Sequence, residues 1–168
     1  MKKRTKVSQD KFVFFALLGF FVLRIAIIFC APIHYSFSAT SFGISNAVNT
    51  GTDSDLYNKW AIQKLSFWRG EPGELRVRKE TGYSTFLAGI YTLCGPENFL
   101  AVYVIQAVLS VISAYFIFAI SMLLFQRETI GKISVVLAGS YGWYLWYVPM
   151  LLRETLVIFL LTGLLYST

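Results

Sequence analysis

Apolar residues in this chain fall into long unbroken blocks, not into the alternating pattern of half-buried strands or the one-sided stripe of a surface helix. The first block runs from Phe12 to Ile33, 22 residues with a single charge, Arg24. As a helix it is about 33 Å long, enough to cross a hydrocarbon core of about 30 Å. The second block, Phe99 to Phe125, has 27 residues and would cross with tilt. The third, Ile133 to Leu152, carries Tyr141, Trp143, Tyr144, Trp146 and Tyr147 toward one end, as an aromatic belt at a membrane surface does. From Thr155 the chain is apolar again to Thr168, a length of only about 21 Å. The expected fold is all-α and polytopic, with about four transmembrane helices, the last incomplete.

The polar intervals set the orientation. Residues 1–11 hold Lys2, Lys3, Arg4, Lys6 and Lys11, and lysine and arginine accumulate on the cytoplasmic side of a first span. A cleaved signal peptide begins in the same way, but its apolar region is only about 7–15 residues long. Here no small-x-small site precedes Pro32. The N-terminus is therefore expected in the cytoplasm and residues 34–98 outside, with a short cytoplasmic turn over 126–132. The outer segment has helical pieces of its own. Leu56, Trp60, Ala61 and Phe67 recur at near-helical spacing from Thr52, and Glu71-Pro72-Gly73-Glu74 reads as a turn. Tyr83, Phe86, Leu87, Ile90 and Leu93 make a second stripe, stopped by Gly95-Pro96. Both read as helices lying at the outer interface.

Composition narrows the function classes. Of all residues 56% are hydrophobic and only 14% charged, against about a quarter charged in soluble domains. The net charge of +6 does not form a basic stripe with interleaved aromatics, so no nucleic-acid partner is expected. Cys30 and Cys94 lack CxxC or histidine spacing, which excludes a disulfide framework and a cysteine metal site. The expected setting is an integral, multi-pass protein of the cell membrane, with the lipid bilayer as its first partner.

Several ionisable residues stand out against this apolar background. Asp53 and Asp55, just past the first block, could accept a proton from a nucleophile or hold a divalent cation. Equally, Thr52 with Asp55 three residues on is a capping-box pattern that opens a helix, which leaves Asp53 as the uncommitted carboxylate. Arg153 and Glu154 sit between apolar blocks, where charges face a cavity or partner or else mark a membrane boundary. Their expected side matches that of Asp53. Arg24 is deeper and calls for a structural partner, a helix carbonyl or an acidic group. Arg76, Arg78 and Lys79 suit phosphate groups at a membrane surface or a plain solvated face. His34 carries no assignment.

The order of these features resembles the start of a GT-C superfamily glycosyltransferase, closest in character to the lipopolysaccharide-core, protein O-mannosyltransferase-like and aminoarabinose transferase-like branch. The resemblance rests on Asp53-Ser54-Asp55-Leu56-Tyr57 through Ala61, and on Gly82-Tyr83-Ser84-Thr85-Phe86-Leu87-Ala88-Gly89-Ile90-Tyr91 with Gly95-Pro96 behind. Gln106-Ala107-Val108-Leu109-Ser110 and Glu154-Thr155-Leu156 complete it. Thr81 stands where that family usually has proline. The resemblance covers most of the chain but only the N-terminal part of such an enzyme, so the isolated chain is expected to lack transfer activity. It implies transfer of a sugar from a polyprenyl-phosphate donor to an acceptor outside the membrane. Asp53, with Asp55 second, takes the position of the acidic residue that acts as base or places a metal, and Glu154 matches an acidic position on the same cavity. Arg153, Arg76, Arg78 and Lys79 become the residues for the donor phosphate. A divalent cation is the one cofactor the reading leaves open. The competing reading is a non-catalytic small membrane protein, or a truncated remnant, acting in lipid binding or membrane assembly.

Overall fold

The computed structural model describes residues 2–41, 53–71 and 82–168, and side chains over 11–30, 54, 56–71, 82–145 and 147–168. The described residues contain helices and no strand: α1 (Lys2–Ser41), α2 (Asp53–Trp68), α3 (Gly82–Cys94), α4 (Phe99–Phe125), α5 (Glu128–Ser140), α6 (Gly142–Tyr147) and α7 (Glu154–Ser167). Two are long and apolar enough to cross a membrane, α1 over Lys11–Cys30 and α4 over its whole length. Helix α1 continues past Ile33, where the apolar block ends. The next glycine, the commonest helix stop, comes only at Gly43.

Chain contacts divide the protein into two compact units, one of residues 1–27, 106–148 and 154–168, the other of residues 28–105 and 149–153. In the first unit α4 runs antiparallel to the segment after it. A Cβ at Gly131 would meet Met122 and Phe118, the Tyr144 hydroxyl lies beside Ser113, and Gln106 reaches the Val148 carbonyl. Helix α1 joins through Phe20, whose ring packs on the bare backbone of Gly139. Lys132 sits over the Phe12 ring at 5.2 Å. Helix α7 joins through aromatic packing of Phe116 on Tyr166 at 5.3 Å and on Phe159 at 6.0 Å.

Two expectations for this unit are corrected. The polar turn expected over 126–132 is only Gln126 and Arg127, because Glu128 already opens α5 and its ion pair with Lys132, at 2.5 Å, lies on that helix. Nor is 133–152 one helix. It breaks at Tyr141, whose backbone is extended, and ends before Pro149, which cannot donate to a helical ladder. Ser140 contributes by turning its hydroxyl back to the Val136 carbonyl at 2.7 Å, a bond that competes with regular helix.

In the second unit α2 and α3 pair antiparallel. Lys64 meets Ser84 and Thr85 near one end, and Asn58 meets Tyr91 near the other. The face of α2 that is buried is Tyr57, Ala61 and Leu65, one residue every four, which gives a straight ridge along a helix. It faces Tyr83, Ser84, Leu87, Ala88 and Tyr91. Of the expected stripes, Ala61, Tyr83, Leu87 and Ile90 are buried, Leu56, Trp60 and Phe86 half-buried, and Phe67 and Leu93 exposed. Gly70, at φ 72°, ends α2 in a Schellman turn: its N–H bonds to Phe67 and that of Glu71 to Ser66, at 3.1 and 3.0 Å. The stop thus comes before Pro72-Gly73-Glu74, which lie outside the described residues. Between α3 and α4 the chain turns through Gly95 at φ 95° and Glu97 at φ 57°. Asn98 caps α4, accepting the Ala101 N–H at 3.1 Å and donating to the Cys94 carbonyl at 3.0 Å.

Candidate functional site

Polar atoms inside an apolar helical protein are costly and gather where function or specificity needs them. The first unit holds such a group at the level of Arg24. The side chain is fully enclosed, at 0% exposure. Its Nε donates to the Ser110 hydroxyl. Its Nη1 donates to the Phe20 carbonyl one turn back at 3.1 Å, and the guanidinium lies 5.7 Å from the centre of the Tyr144 ring. Nη2 has no hydrogen-bond partner among the described residues. The helix carbonyl expected for Arg24 is therefore present, and no carboxylate among the described residues pairs with it. Ring and hydroxyl take the place of a counter-charge, spreading the cation over polarisable and dipolar partners. Tyr144, expected in an aromatic belt, turns inward for this reason, while Tyr141 and Trp143 stay exposed.

Ser110 belongs to a polar side of α4. Gln106, Ser110, Ser113 and Ser121 are all buried, and the first three sit at i, i+4 and i+7. That spacing was visible in the sequence as a small-polar stripe on an otherwise apolar helix, though nothing in it named Arg24 as the target.

A second group lies at the start of α7. Glu154 is the first residue of that helix and is half-buried, with Oε2 enclosed and without a hydrogen-bond partner among the described residues. Thr155 beside it is 0% exposed and its hydroxyl oxygen is likewise unpartnered. Arg153, one residue earlier, is exposed.

In the second unit Lys64 donates to the Ser84 hydroxyl at 3.0 Å and to that of Thr85 at 2.7 Å, both in the first turn of α3. Partial burial holds the Lys64 ammonium below the usual lysine range. At the far end of the pair the Tyr91 hydroxyl donates to Asn58 at 2.8 Å, and Asn58 donates to Glu97 at 3.1 Å. Burial pushes the Tyr91 phenol up, with the Glu97 charge and Tyr103 adding to it. Neither group is legible along the chain. Lysine and serine twenty residues apart carry no local pattern, and only the helix pairing brings them together.

Of the residues expected at a site, Asp53 is the first residue of α2 and Asp55 lies in its first turn, with side chains outside the described ones. Arg76, Arg78 and Lys79 lie outside the described residues. Among the described residues, no three histidine, cysteine, aspartate or glutamate side chains come together as a metal site would require. No family model, curated protein or solved structure matches this chain.

Proposed function

We propose that this chain is part of a multi-pass membrane glycosyltransferase of GT-C type, which moves a sugar from a polyprenyl-phosphate donor to an acceptor on the extracytoplasmic face. The observation that carries this reading is the order of its motifs along the helices. An acidic pair opens α2 after a first apolar helix, Gly82-Tyr83 opens α3, Gly95-Pro96 ends it, and Glu154-Thr155-Leu156 opens α7. Membrane insertion is supported by the surfaces of the two long helices. Phe14, Phe15, Val22 and Phe29 on α1, and Leu123 and Leu124 on α4, are each more than half exposed, a surface that suits lipid and not water. In this reading Phe12–Ile33, Phe99–Phe125, Ile133–Leu152 and the stretch from Thr155 approach or cross the bilayer, with residues 1–11 in the cytoplasm.

The chemistry asked of the site is modest. A polyprenyl phosphate is a good leaving group, so a base on the acceptor hydroxyl and cationic groups near the phosphate supply most of the rate. Asp53 is the proposed base, with Asp55 as the helix-opening residue and Arg153, Arg76, Arg78 and Lys79 near the donor phosphate. A divalent cation, if the enzyme uses one, falls to Asp53. The test is a pair of isosteric changes in the transferase that carries this chain, followed by donor-dependent sugar transfer in membranes. Asp53→Asn should slow transfer by about a hundredfold or more, the scale of a positioned proton acceptor. Asp55→Asn should leave the rate nearly unchanged, because amide and carboxylate both cap a helix. Equal and mild effects at the two positions would remove Asp53 from the role.

A further inference from the structure

Glu154 Oε2 and Thr155 Oγ1 are buried, belong to adjacent residues and have no hydrogen-bond partner among the described residues, and they differ in what they need. A carboxylate oxygen only accepts, so Oε2 needs a donor. The Thr155 hydroxyl can donate as well as accept, so an acceptor satisfies it. Both sit in the first turn of α7, where the leading backbone N–H groups have no acceptor within the helix. Burial without partners is unfavourable for each group, most of all for the carboxylate. A single kind of group answers every one of these demands, because a hydroxyl donates and accepts at once. A ring bearing hydroxyls on neighbouring carbons supplies a donor to Glu154 and an acceptor to Thr155 together.

We propose that Glu154 and Thr155 form a hydroxyl-binding subsite that takes a sugar ring. The choice of a sugar over other polyhydroxyl ligands rests on the transferase reading above; the demand for a hydroxyl does not. Glu154 then binds sugar through its carboxylate and is not required as a base. Thr155 is the new member, a residue with no part in the chemistry of transfer. Because its hydroxyl has no partner among the described residues, removing it should affect the ligand and not the scaffold.

The experiment uses the purified chain in lipid nanodiscs and methyl α-mannopyranoside as probe, read by saturation-transfer NMR and by thermal unfolding. The wild-type chain should transfer saturation to the sugar protons. Thr155→Val keeps the side-chain shape and should weaken the glycoside at least tenfold, since a site that loses a hydrogen-bonding group leaves a ligand hydroxyl unpaired. The same variant should unfold at an equal or higher temperature. Glu154→Gln should weaken binding to a similar degree. The proposal is overturned if the wild type shows no saturation transfer, if Thr155→Val binds unchanged, or if Thr155→Val unfolds at a lower temperature, which would assign the hydroxyl a structural partner. Competition identifies the source of the sugar. Displacement by a polyprenyl-phosphate-linked sugar but not by bare polyprenyl phosphate assigns the subsite to the donor, and displacement by neither assigns it to the acceptor. Binding is read separately from turnover, so glycoside binding by this chain together with no sugar transfer by the protein that carries it would sink the transferase reading and leave the subsite standing. Transfer without glycoside binding would do the reverse.

Discussion

At the scale of single residues, packing in the first unit depends on three glycines that are not equivalent. A Cβ at Gly139 would collide with the Phe20 ring, one at Gly131 would lie 2.7 Å from the Met122 sulfur and 3.0 Å from the Phe118 ring edge, and one at Gly163 would sit 3.4 Å from Phe116. A ring wedged between helices cannot step aside as an unbranched thioether can. Gly139→Ala should therefore destabilise the protein by about 1–3 kcal/mol, the usual cost of overpacking. Gly131→Ala should cost less, and Gly163→Ala should be neutral or stabilising by up to about 1 kcal/mol, since alanine is the better helix former. Unfolding of the three variants in one detergent gives the ranking directly. A cost at Gly163 equal to that at Gly139 would show that helix backbone and not the Phe20 contact sets the effect. Arg24 belongs to the same scale. Its guanidinium is accommodated by a hydroxyl, a carbonyl and a ring, and that combination holds it inside an apolar unit with no opposite charge beside it among the described residues.

At the scale of elements, α2 and α3 are joined by a chain of hydrogen bonds from Tyr91 through Asn58 to Glu97, which also reaches the turn before α4. The Tyr91 phenol titrates above its ordinary value of 10.0, chiefly because it is buried, so the folded protein keeps a proton that the unfolded chain gives up. The contribution of Tyr91 to stability is thus fully present below pH 10.0 and declines as the pH rises above it. The limiting slope is about 1.4 kcal/mol per pH unit. Melting temperatures measured from pH 8 to pH 11 should fall more steeply for the wild type than for Tyr91→Phe, which has no proton to lose. Parallel curves would mean that Tyr91 ionises alike in both states. The turn beyond this network bears its own strain, since Glu97 holds a left-handed backbone that glycine adopts more readily. Its bond to Asn58 is the compensation visible in the structure.

At the scale of the whole molecule, the proposed topology is the statement on which the position of every site residue depends. With Cys30 and Cys94 replaced by serine, since both are exposed and would react, a cysteine at Ser66 should label with an impermeant reagent from outside intact cells. A cysteine at Thr129, in the first turn of α5, should label only after permeabilisation. The opposite pattern would place Asp53 on the cytoplasmic side and end the proposal of an extracytoplasmic transferase site.

The sequence by itself determined the helical elements and several of their ends. An unbroken apolar run from Phe99 to Phe125 leaves the backbone no cheaper state than helix, and α4 occupies that range. Gly95-Pro96 ends α3 because glycine adopts the left-handed turn and proline cannot extend the ladder. Tertiary structure alone decided which faces turn inward. Where a helix carries apolar residues on more than one face, hydrophobicity alone cannot rank those faces, and the partner does so instead. Tyr57, Ala61 and Leu65 are buried because α3 lies against them, and Phe67 is exposed because nothing among the described residues does. Tyr144 left the aromatic belt because Arg24 needed a partner across the unit, and Gly139 is bare because Phe20, 119 positions earlier, fills its space. The two unpartnered oxygens of Glu154 and Thr155 are of the same kind. Their residue types can be read along the chain, but burial without a partner is a property of what surrounds them, and that surrounding exists only once the helices have packed.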